Sequence, residues 1–435
     1  MADRGQLRAA WQPTRALPRA ASLVGLLLLV AVLLGRIDLV ALAVPIALGT
    51  VWSLLGRPQT APTIRIDLPT DTVAEGQPVT VGLTVGSSAT LDVATARMST
   101  SRWLGVVEGR TVRSSVVRAG EQVTFDIRVR PLRWGRHSLG PAVLTASACD
   151  GLMVCEAQIV AARLLSALPQ EVPFDASDVV PRAAGVVGSH RSRRPGQGAE
   201  LAGVRPFTPG DRLRRIDWRV SLRAQQMYVT ATQSERDTDV VLVLDLLHDA
   251  GHSGGIDGSA SSLDTTVRAS AALTEHYLSV GDRVGAVSYG ARLRFLRPAG
   301  GATQLRRVMQ LLLDAESRAD GAATSPRLMG PRVLPPRALT VVLSPLVDPS
   351  SLTLVAELAH RGQSVVVVDT LPADVRPPKV DAVTDLAWRL WWLQRDADVH
   401  ALAHVGVPVV RWHGTGSLDL VLREATRAAS AGRAR

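Results

Sequence analysis

Two long apolar runs near the start of the chain constrain its fold more than any other feature. Residues 20–35 and residues 39–55 contain few polar side chains, and the short segment between them carries Arg36 and Asp38. As a helix, at about 1.5 Å per residue, each run extends roughly 25 Å, slightly less than a hydrocarbon core. Because a helix satisfies its own backbone hydrogen bonds, two such runs joined by a polar turn predict a transmembrane helical hairpin over residues 20–56.

The placement of arginines predicts the orientation of this hairpin. Residues 1–19 form a basic tail, and Arg57 and Arg65 follow the second run, whereas the turn offers Arg36 offset by Asp38. The positive-inside rule therefore places both termini and the soluble domains in the cytoplasm, with the hairpin in the inner (plasma) membrane. The alternatives are one buried soluble helix and a cleaved signal peptide. The signal peptide is disfavoured because a second apolar run follows where a cleavage site would stand.

Short segments of alternating polarity over residues 62–168 indicate β-structure. Apolar and polar residues alternate over residues 79–85 and 123–130, for example, and turn residues separate these segments. This period of two predicts an antiparallel β-sandwich of immunoglobulin-like type. Cys149 and Cys155 fall in this domain. Two free thiols are favoured, and a bridge across a hairpin is the alternative.

Residues 185–236 combine an Arg-rich linker with a dense segment of charges, glycine and tryptophan. Arginine forks match carboxylates and tryptophan adds apolar surface, so the segment predicts a folded unit. We expect Asp211 to cap a short helix or turn and Asp217 to pair with Arg205, Arg214 or Arg223. One interpretation is a docking surface or ligand pocket; the other is a lock between domains with Trp218 as its apolar plug. The candidate site residues are Arg205, Gly210, Asp211, Arg214, Asp217, Trp218, Ser221 and Arg223.

Apolar runs and helical patterns alternate over residues 237–435. Residues 240–244 form a continuous apolar run that ends in Asp245, which is typical of a buried parallel strand. The alternation predicts a doubly wound α/β sheet. Three tryptophans over residues 388–392 recur at near-helical spacing and favour a packing face.

Composition and motifs narrow the classes of function. At 435 residues the chain is long enough for two or three domains. The net charge is +10, and almost all of the basic residues are arginines. Aromatic residues make up 4% of the chain and are not interleaved with basic residues, as they are in proteins that bind single-stranded nucleic acids, so no nucleic-acid partner is expected. The sequence has neither a Gly-x4-Gly-Lys-Ser/Thr phosphate loop nor a His-Glu-x-x-His zinc motif, and the glycine-rich residues 251–262 are interpreted as a loop. We therefore expect that the protein is not an enzyme.

Residues 198–211 and 214–223 resemble the signature of the domain-of-unknown-function 58 family. Members of this family are bacterial membrane-anchored proteins with a degenerate von Willebrand factor type A-like domain. The resemblance implies that residues 237–435 form that domain and that the partner is a MoxR-type AAA+ ATPase. The expected function is a non-enzymatic membrane-tethered adaptor or scaffold that docks this ATPase and client proteins in cell-envelope or protein-complex maturation.

The same resemblance raises an alternative built on a metal ion. Metal-binding von Willebrand type A domains hold a divalent cation with an Asp-x-Ser-x-Ser run, a threonine and a further aspartate, oxygen ligands that suit Mg²⁺. Here Leu247 and Asp249 replace the two serines after Asp245, and Pro345 stands where an aspartate is common. We therefore expect no cofactor. The alternative is a Mg²⁺-dependent ligand-binding receptor using Asp245, Asp249 and Thr303, and an uncharacterised hydrolase is the third option.

Overall fold

The structure is a computed structural model. Its description covers residues 11–170, 192–207, 216–234, 239–290, 292–317, 325, 329–336, 338–376, 381–414, 421 and 423–424. The chain forms two compact units. The first unit comprises Met1–Gln170 with Gly255–Asp257, and the second comprises Glu171–Gly254 with Gly258–Arg435.

Two apolar helices, α1 (Ala16–Leu34) and α2 (Ile37–Leu55), stand near the N-terminus. Each has 19 residues and is long and apolar enough to cross a membrane, and only 6% of its most apolar stretch is buried. Helix α1 begins four residues before the apolar run predicted from residue 20 onward. Pro18 falls in its first turn, where proline is tolerated. Gly35, at a φ of 63°, ends α1 in the left-handed conformation that glycine favours. The two helices are consistent with a membrane anchor.

The rest of the first unit is β-rich. Its strands are β1 (Trp11–Pro13), β2 (Thr63–Asp67), β3 (Thr72–Ala74), β4 (Val79–Gly86), β5 (Leu91–Thr100), β6 (Leu104–Glu108), β7 (Val112–Val117), β8 (Gln122–Pro131), β9 (Gly135–Ala148), β10 (Met153–Val160) and β11 (Arg163–Leu168). One sheet has the order β2-β4-β8-β6; the other has the path β1-β10-β9-β11-β3, with β5 on β9 and β7 on β5. Leu83 and Ile127 of the first sheet share a core with Leu139 and Leu165 of the second. Alternating side chains of both sheets thus pack against each other in a shared core.

Two details of this unit differ from a purely antiparallel sandwich with a hairpin bridge. Strand β3 pairs with β11 in parallel. This three-residue strand lies between β2 and β4 in the chain, yet it joins the edge of the other sheet. Cys155 lies opposite Ala146 of β9, whereas Cys149 lies in the β9–β10 turn at a φ of 62°. Both thiols are free and buried, and burial raises the pKa of each.

The second unit holds a mixed α/β sheet and a separate two-stranded ribbon. Its strands are β12 (Ser192–Pro206), β13 (Tyr228–Ser234), β14 (Asp239–Asp245), β15 (Arg283–Tyr289), β16 (Arg294–Ala299), β17 (Leu339–Ser344), β18 (Ser364–Asp369) and β19 (Val409–Arg411). Its helices are α3 (Trp218–Ala224), α4 (Ser262–Ser279), α5 (Gly301–Leu313), α6 (Pro349–His360) and α7 (Ala382–His404). Strands β12 and β13 pair with each other, so part of the predicted Arg-rich linker is a strand.

The six-stranded sheet has the order β16-β15-β14-β17-β18-β19, and only the pairing of β16 with β15 is antiparallel. Six of the seven residues of β14 are buried, as the continuous apolar run predicts for a strand covered on both faces. Val241 and Val243 share a core with Leu358 of α6 and Leu402 of α7. After β14 the chain adds strands on one side and then crosses to the other at β17. The carboxyl ends of β14 and β17 therefore define the point where the winding reverses, the usual place for a ligand crevice.

Candidate functional site

Part of the charged signature can be placed in the structure. Gly210, Asp211 and Arg214 lie outside the described residues, and of Arg205 only the backbone is described, paired with Val229 between β12 and β13. The remaining four candidates, Asp217, Trp218, Ser221 and Arg223, lie at the start of α3 or within it.

Asp217 acts as the N-cap of α3. Its Oδ1 accepts the backbone N–H groups of Arg219 and Val220, both at 3.1 Å. This satisfies two of the donors that a helix leaves free at its first turn. No arginine side chain in the described part of the chain lies within ion-pair distance of this carboxylate. The expected pairing with Arg223 is therefore not formed, and the side chains of Arg205 and Arg214 lie outside the described residues.

Ser221 fastens α3 to the strand that follows. Its hydroxyl donates to the Asp217 carbonyl at 2.6 Å and accepts the Tyr228 N–H at 2.9 Å. The Asp217 N–H in turn donates to the Tyr228 carbonyl at 2.9 Å. Ser221 is buried, so these bonds are shielded from water. Together they hold the short helix against the start of β13.

The held helix exposes apolar side chains. Trp218 is 64% exposed and Leu222 is 77% exposed, and Met227 beyond the helix is also exposed. Trp218 and Leu222 are four residues apart and so share one face of α3. We call Trp218, Leu222 and Met227 the α3 surface. Trp218 is thus exposed on this helix, and its interpretation as an apolar plug between domains stays a prediction.

A second group of polar residues lies at the carboxyl ends of the parallel strands. Asp245, at the end of β14, is buried, and its Oδ2 accepts the hydroxyls of Ser344 and Ser351, both at 2.6 Å. Its Oδ1 accepts the Leu247 N–H at 3.1 Å. Burial raises the pKa of Asp245, while these hydrogen bonds act in the opposite direction. The carboxyl group is thus bound from three sides by the protein itself.

Next to it lies a buried ion pair that the sequence interpretation missed. Arg395 of α7 donates to Asp369 at 2.6 Å and to the Pro345 carbonyl at 2.8 Å. Both side chains are about 95% buried, at 4% and 5% exposure. The signal was available, since β18 is an apolar run that ends in an aspartate, like β14. We call Asp245, Ser344, Ser351, Asp369 and Arg395 the strand-end cluster.

The three residues of the predicted metal site do not come together. Asp249 Oδ1 accepts the Leu263 N–H at 3.0 Å near the start of α4. Thr303 follows β16, whose Ala299 pairs with the beginning of β15, whereas Asp245 pairs with the end of β15 at Tyr289. Because β16 runs antiparallel, Thr303 lies roughly 15 Å away along the sheet, at its other end. Among the residues that the structure describes, no group of three or more His, Cys, Asp or Glu could hold a metal ion. The arrangement does not fit Mg²⁺.

Two further features bear on hydrolase chemistry. His248 Nε2 lies 2.7 Å from Asp348 Oδ2, and Asp348 also caps α6 through the Ser350 N–H at 2.7 Å. Burial acts to raise the pKa of Asp348, but these hydrogen bonds outweigh it and the pKa is lowered.

Residues 251–255 read Gly-His-Ser-Gly-Gly and match the Gly-x-Ser-x-Gly pattern, which the sequence interpretation missed. A nucleophile elbow needs a strand-to-helix turn, whereas this serine lies in a loop between β14 and α4.

The fold and the site thus define a class: a chain with two apolar helices that suit a membrane anchor, a β-rich unit, and an α/β unit with a closed strand-end cluster. Residues 203–385 match the profile of the family described as "Protein of unknown function DUF58".

The chain is also similar to uncharacterised mycobacterial proteins. One from Mycobacterium tuberculosis and one from Mycobacterium bovis are each 29% identical over 206 residues, a match that covers 45% of this chain. The match spans 62% of the length of these relatives.

Similarity to solved structures is weak. A chain of the complex between zinc 2-glycoprotein and prolactin inducible protein from human seminal plasma covers 26% of this chain and 99% of its own, with 12% identity and a TM-score of 0.19. The FixG-related protein of Vibrio parahaemolyticus covers 23% of this chain and 94% of its own, with 7% identity and a TM-score of 0.16. These scores support no argument about fold or function.

Proposed function

We propose that this protein is a non-enzymatic adaptor tethered to the plasma membrane, and that its α3 surface docks a MoxR-type AAA+ ATPase. Clients would be proteins of the cell envelope or complexes under maturation. The observation that carries the proposal is the α3 surface, where Trp218 and Leu222 are exposed on a helix fixed by Asp217 and Ser221. An apolar surface held rigid before binding loses little conformational entropy on docking.

The charges around the α3 surface indicate the chemistry of its partner. Arg219 and Arg223 are exposed on the same short helix. Interfaces commonly place an aromatic anchor at the centre and charged residues at the rim. The partner is therefore a protein with an apolar pocket bordered by acidic side chains. The resemblance of residues 198–211 and 214–223 to the signature of the domain-of-unknown-function 58 family supplies the ATPase as the candidate.

The finer fold assignments belong to the same proposal. We assign the first unit to the immunoglobulin-like sandwiches and the second to the von Willebrand factor type A-like folds. The sheet order β16-β15-β14-β17-β18-β19, with one antiparallel edge strand, supports the second assignment. Helices α1 and α2 form the membrane hairpin, and both soluble units lie in the cytoplasm. A reporter enzyme fused to the C-terminus tests this orientation, since activity outside the cytoplasm would overturn it.

Affinity purification of the full chain from detergent-solubilised native membranes tests the docking function. Wild type is expected to retain an AAA+ ATPase. Trp218→Ala should lower its recovery about tenfold or more, the loss typical of a central aromatic anchor. Phe295→Ala removes another exposed aromatic side chain of the same unit and should leave recovery unchanged. Equal recovery with Trp218→Ala, or retention of proteins without an ATPase among them, would contradict the proposal.

A further inference from the structure

Helix α7 has apolar residues on two opposite faces. On the inner face, Arg395 and Leu402 are buried and Leu402 belongs to the α/β core. On the outer face, apolar side chains are between 59% and 79% exposed. These outer residues are Val383, Leu386, Leu390 and Leu393.

The outer residues follow the spacing of a coiled-coil seam. They are separated by three, four and three positions, and exposed Ala397 continues the pattern four residues later. Alternating steps of three and four give the 3.5-residue period that lets two helices pack along one stripe. A surface helix of a folded domain needs only one apolar face. The second stripe of α7 is therefore accounted for by a second helix with a matching stripe.

We infer that this stripe is an interface between two copies of the chain, with the two α7 helices packed antiparallel. If Leu390 of one copy lies opposite Leu393 of the other, Leu386 lies opposite Ala397 and Val383 opposite His400. In this register Arg389 beside the seam faces Asp396 of the second copy, and the two-fold axis repeats the pair. In a parallel arrangement Arg389 faces Gln394 instead, and no opposite charge meets it.

The charges of α7 favour a protein partner over a lipid surface. Of the two arginines of α7, Arg389 is exposed beside the outer apolar residues, whereas Arg395 is buried on the inner face. A helix that lies on an anionic membrane is rich in Lys and Arg on its polar face. Here aspartates predominate, and anionic headgroups would repel them. The aspartates of the helix and its cap are Asp381, Asp385, Asp396 and Asp398.

Tethering strengthens a contact of this size. A single pair of helices buries less area than a typical stable interface between soluble proteins. This effect rests on the proposed membrane anchor: two copies held in one bilayer by α1 and α2 meet at a high effective concentration, so a small interface suffices.

Cysteine cross-linking of the full chain in native membranes tests the register. Leu386→Cys together with Ala397→Cys places thiols that face each other only in the antiparallel pair. Within one helix these positions are about 16 Å apart, too far for an internal disulfide. Mild oxidation should give covalent dimers with the double variant and monomers with wild type or with either single variant. Dimers with Leu386→Cys alone would show a parallel pair and overturn the register, and monomers throughout would overturn the interface.

Charge reversal provides an independent test on that double-cysteine background. Arg389→Glu should lower the cross-linked fraction about fivefold, because it sets two like charges against each other twice. Asp396→Arg should do the same, and the two changes combined should restore cross-linking. Arg389 also pairs with Asp385 in its own helix at 2.8 Å, and the combined variant does not rebuild that bond. Restoration therefore reports the contact between copies. Arg306→Glu on α5 is the control and should change nothing, and failure of the combined variant to recover would overturn the proposal.

Discussion

The strand-end cluster and the α3 surface use polar residues in opposite ways. In the cluster, the carboxylates of Asp245 and Asp369 are buried and bonded to other groups of the same unit. At α3, the hydrogen bonds of Asp217 and Ser221 within the described residues go to nearby backbone, and Trp218 on the same helix is exposed to solvent. In the first arrangement the carboxyl oxygens of Asp245 accept hydrogen bonds from the protein itself, whereas the second leaves an apolar surface exposed. The buried charges of the cluster stabilise the fold, whereas the exposed apolar residues are the ones that we propose for recognition.

The largest expected effect is a loss of stability when the buried ion pair of the strand-end cluster is broken. Arg395→Ala leaves Asp369 buried without its partner, which should lower the free energy of unfolding by about 3–5 kcal/mol. Arg306→Ala removes an exposed arginine and should change it by less than about 0.5 kcal/mol. Thermal unfolding of the full chain in detergent measures both. Equal midpoints would mean that the cluster does not hold the sheet together.

The second prediction concerns Asp245 and pH. Asp245→Asn keeps the shape but cannot accept both serine hydroxyls as a carboxyl group does, so it should cost about 1–3 kcal/mol. Burial raises the pKa of Asp245 above its usual value of 3.8. The stability it contributes is therefore fully present below that value and is lost as the pH rises through the raised pKa. Denaturation of wild type and variant from about pH 4 to about pH 8 should show a difference that narrows with rising pH. A difference that widens would contradict the burial of this carboxyl group.

A smaller effect is expected at the N-cap of α3. Asp217→Ala should cost about 1 kcal/mol and should weaken partner binding, because the helix end loses two hydrogen bonds and frays. Asp217→Asn is the matched control, since asparagine caps helices about as well as aspartate. Hydrogen exchange of the α3 amides reports the fraying. If asparagine fails where alanine also fails, the negative charge itself is required and the capping account is wrong.

No effect is expected from divalent cations. Calorimetric titration of the full chain with Mg²⁺ or Mn²⁺ should give no binding heat up to about 1 mM, because Asp245, Asp249 and Thr303 do not converge. Binding in the micromolar range would restore the receptor alternative.

Helices and strands could be predicted from the sequence because the spacing of apolar residues indicates them. The apolar runs predicted α1 and α2, and the run ending in Asp245 predicted the buried strand β14. The partners of individual polar groups were not accessible in this way. Thr303 was misplaced because nothing local specifies that β16 runs antiparallel and returns the chain to the other end of the sheet.

The roles of Asp217 and Arg395 show the same limit. A carboxylate among arginines predicts ion pairs by composition, but Asp217 accepts backbone N–H groups of α3, and no described guanidinium group lies as close to it. Arg395 stands on a helix far along the chain from Asp369 and from Pro345, and only the path of α7 brings it to them. The strand ends could be located from sequence, whereas the residues that close them could not.

The most direct test of the central claim is the affinity of the proposed partner, a purified MoxR-type AAA+ ATPase, for the full chain in nanodiscs. With Trp218→Ala and Leu222→Ala combined, the dissociation constant should rise at least about thirtyfold while the unfolding midpoint stays unchanged. An unchanged dissociation constant in a folded variant would contradict the claim that the α3 surface is where this protein is recognised.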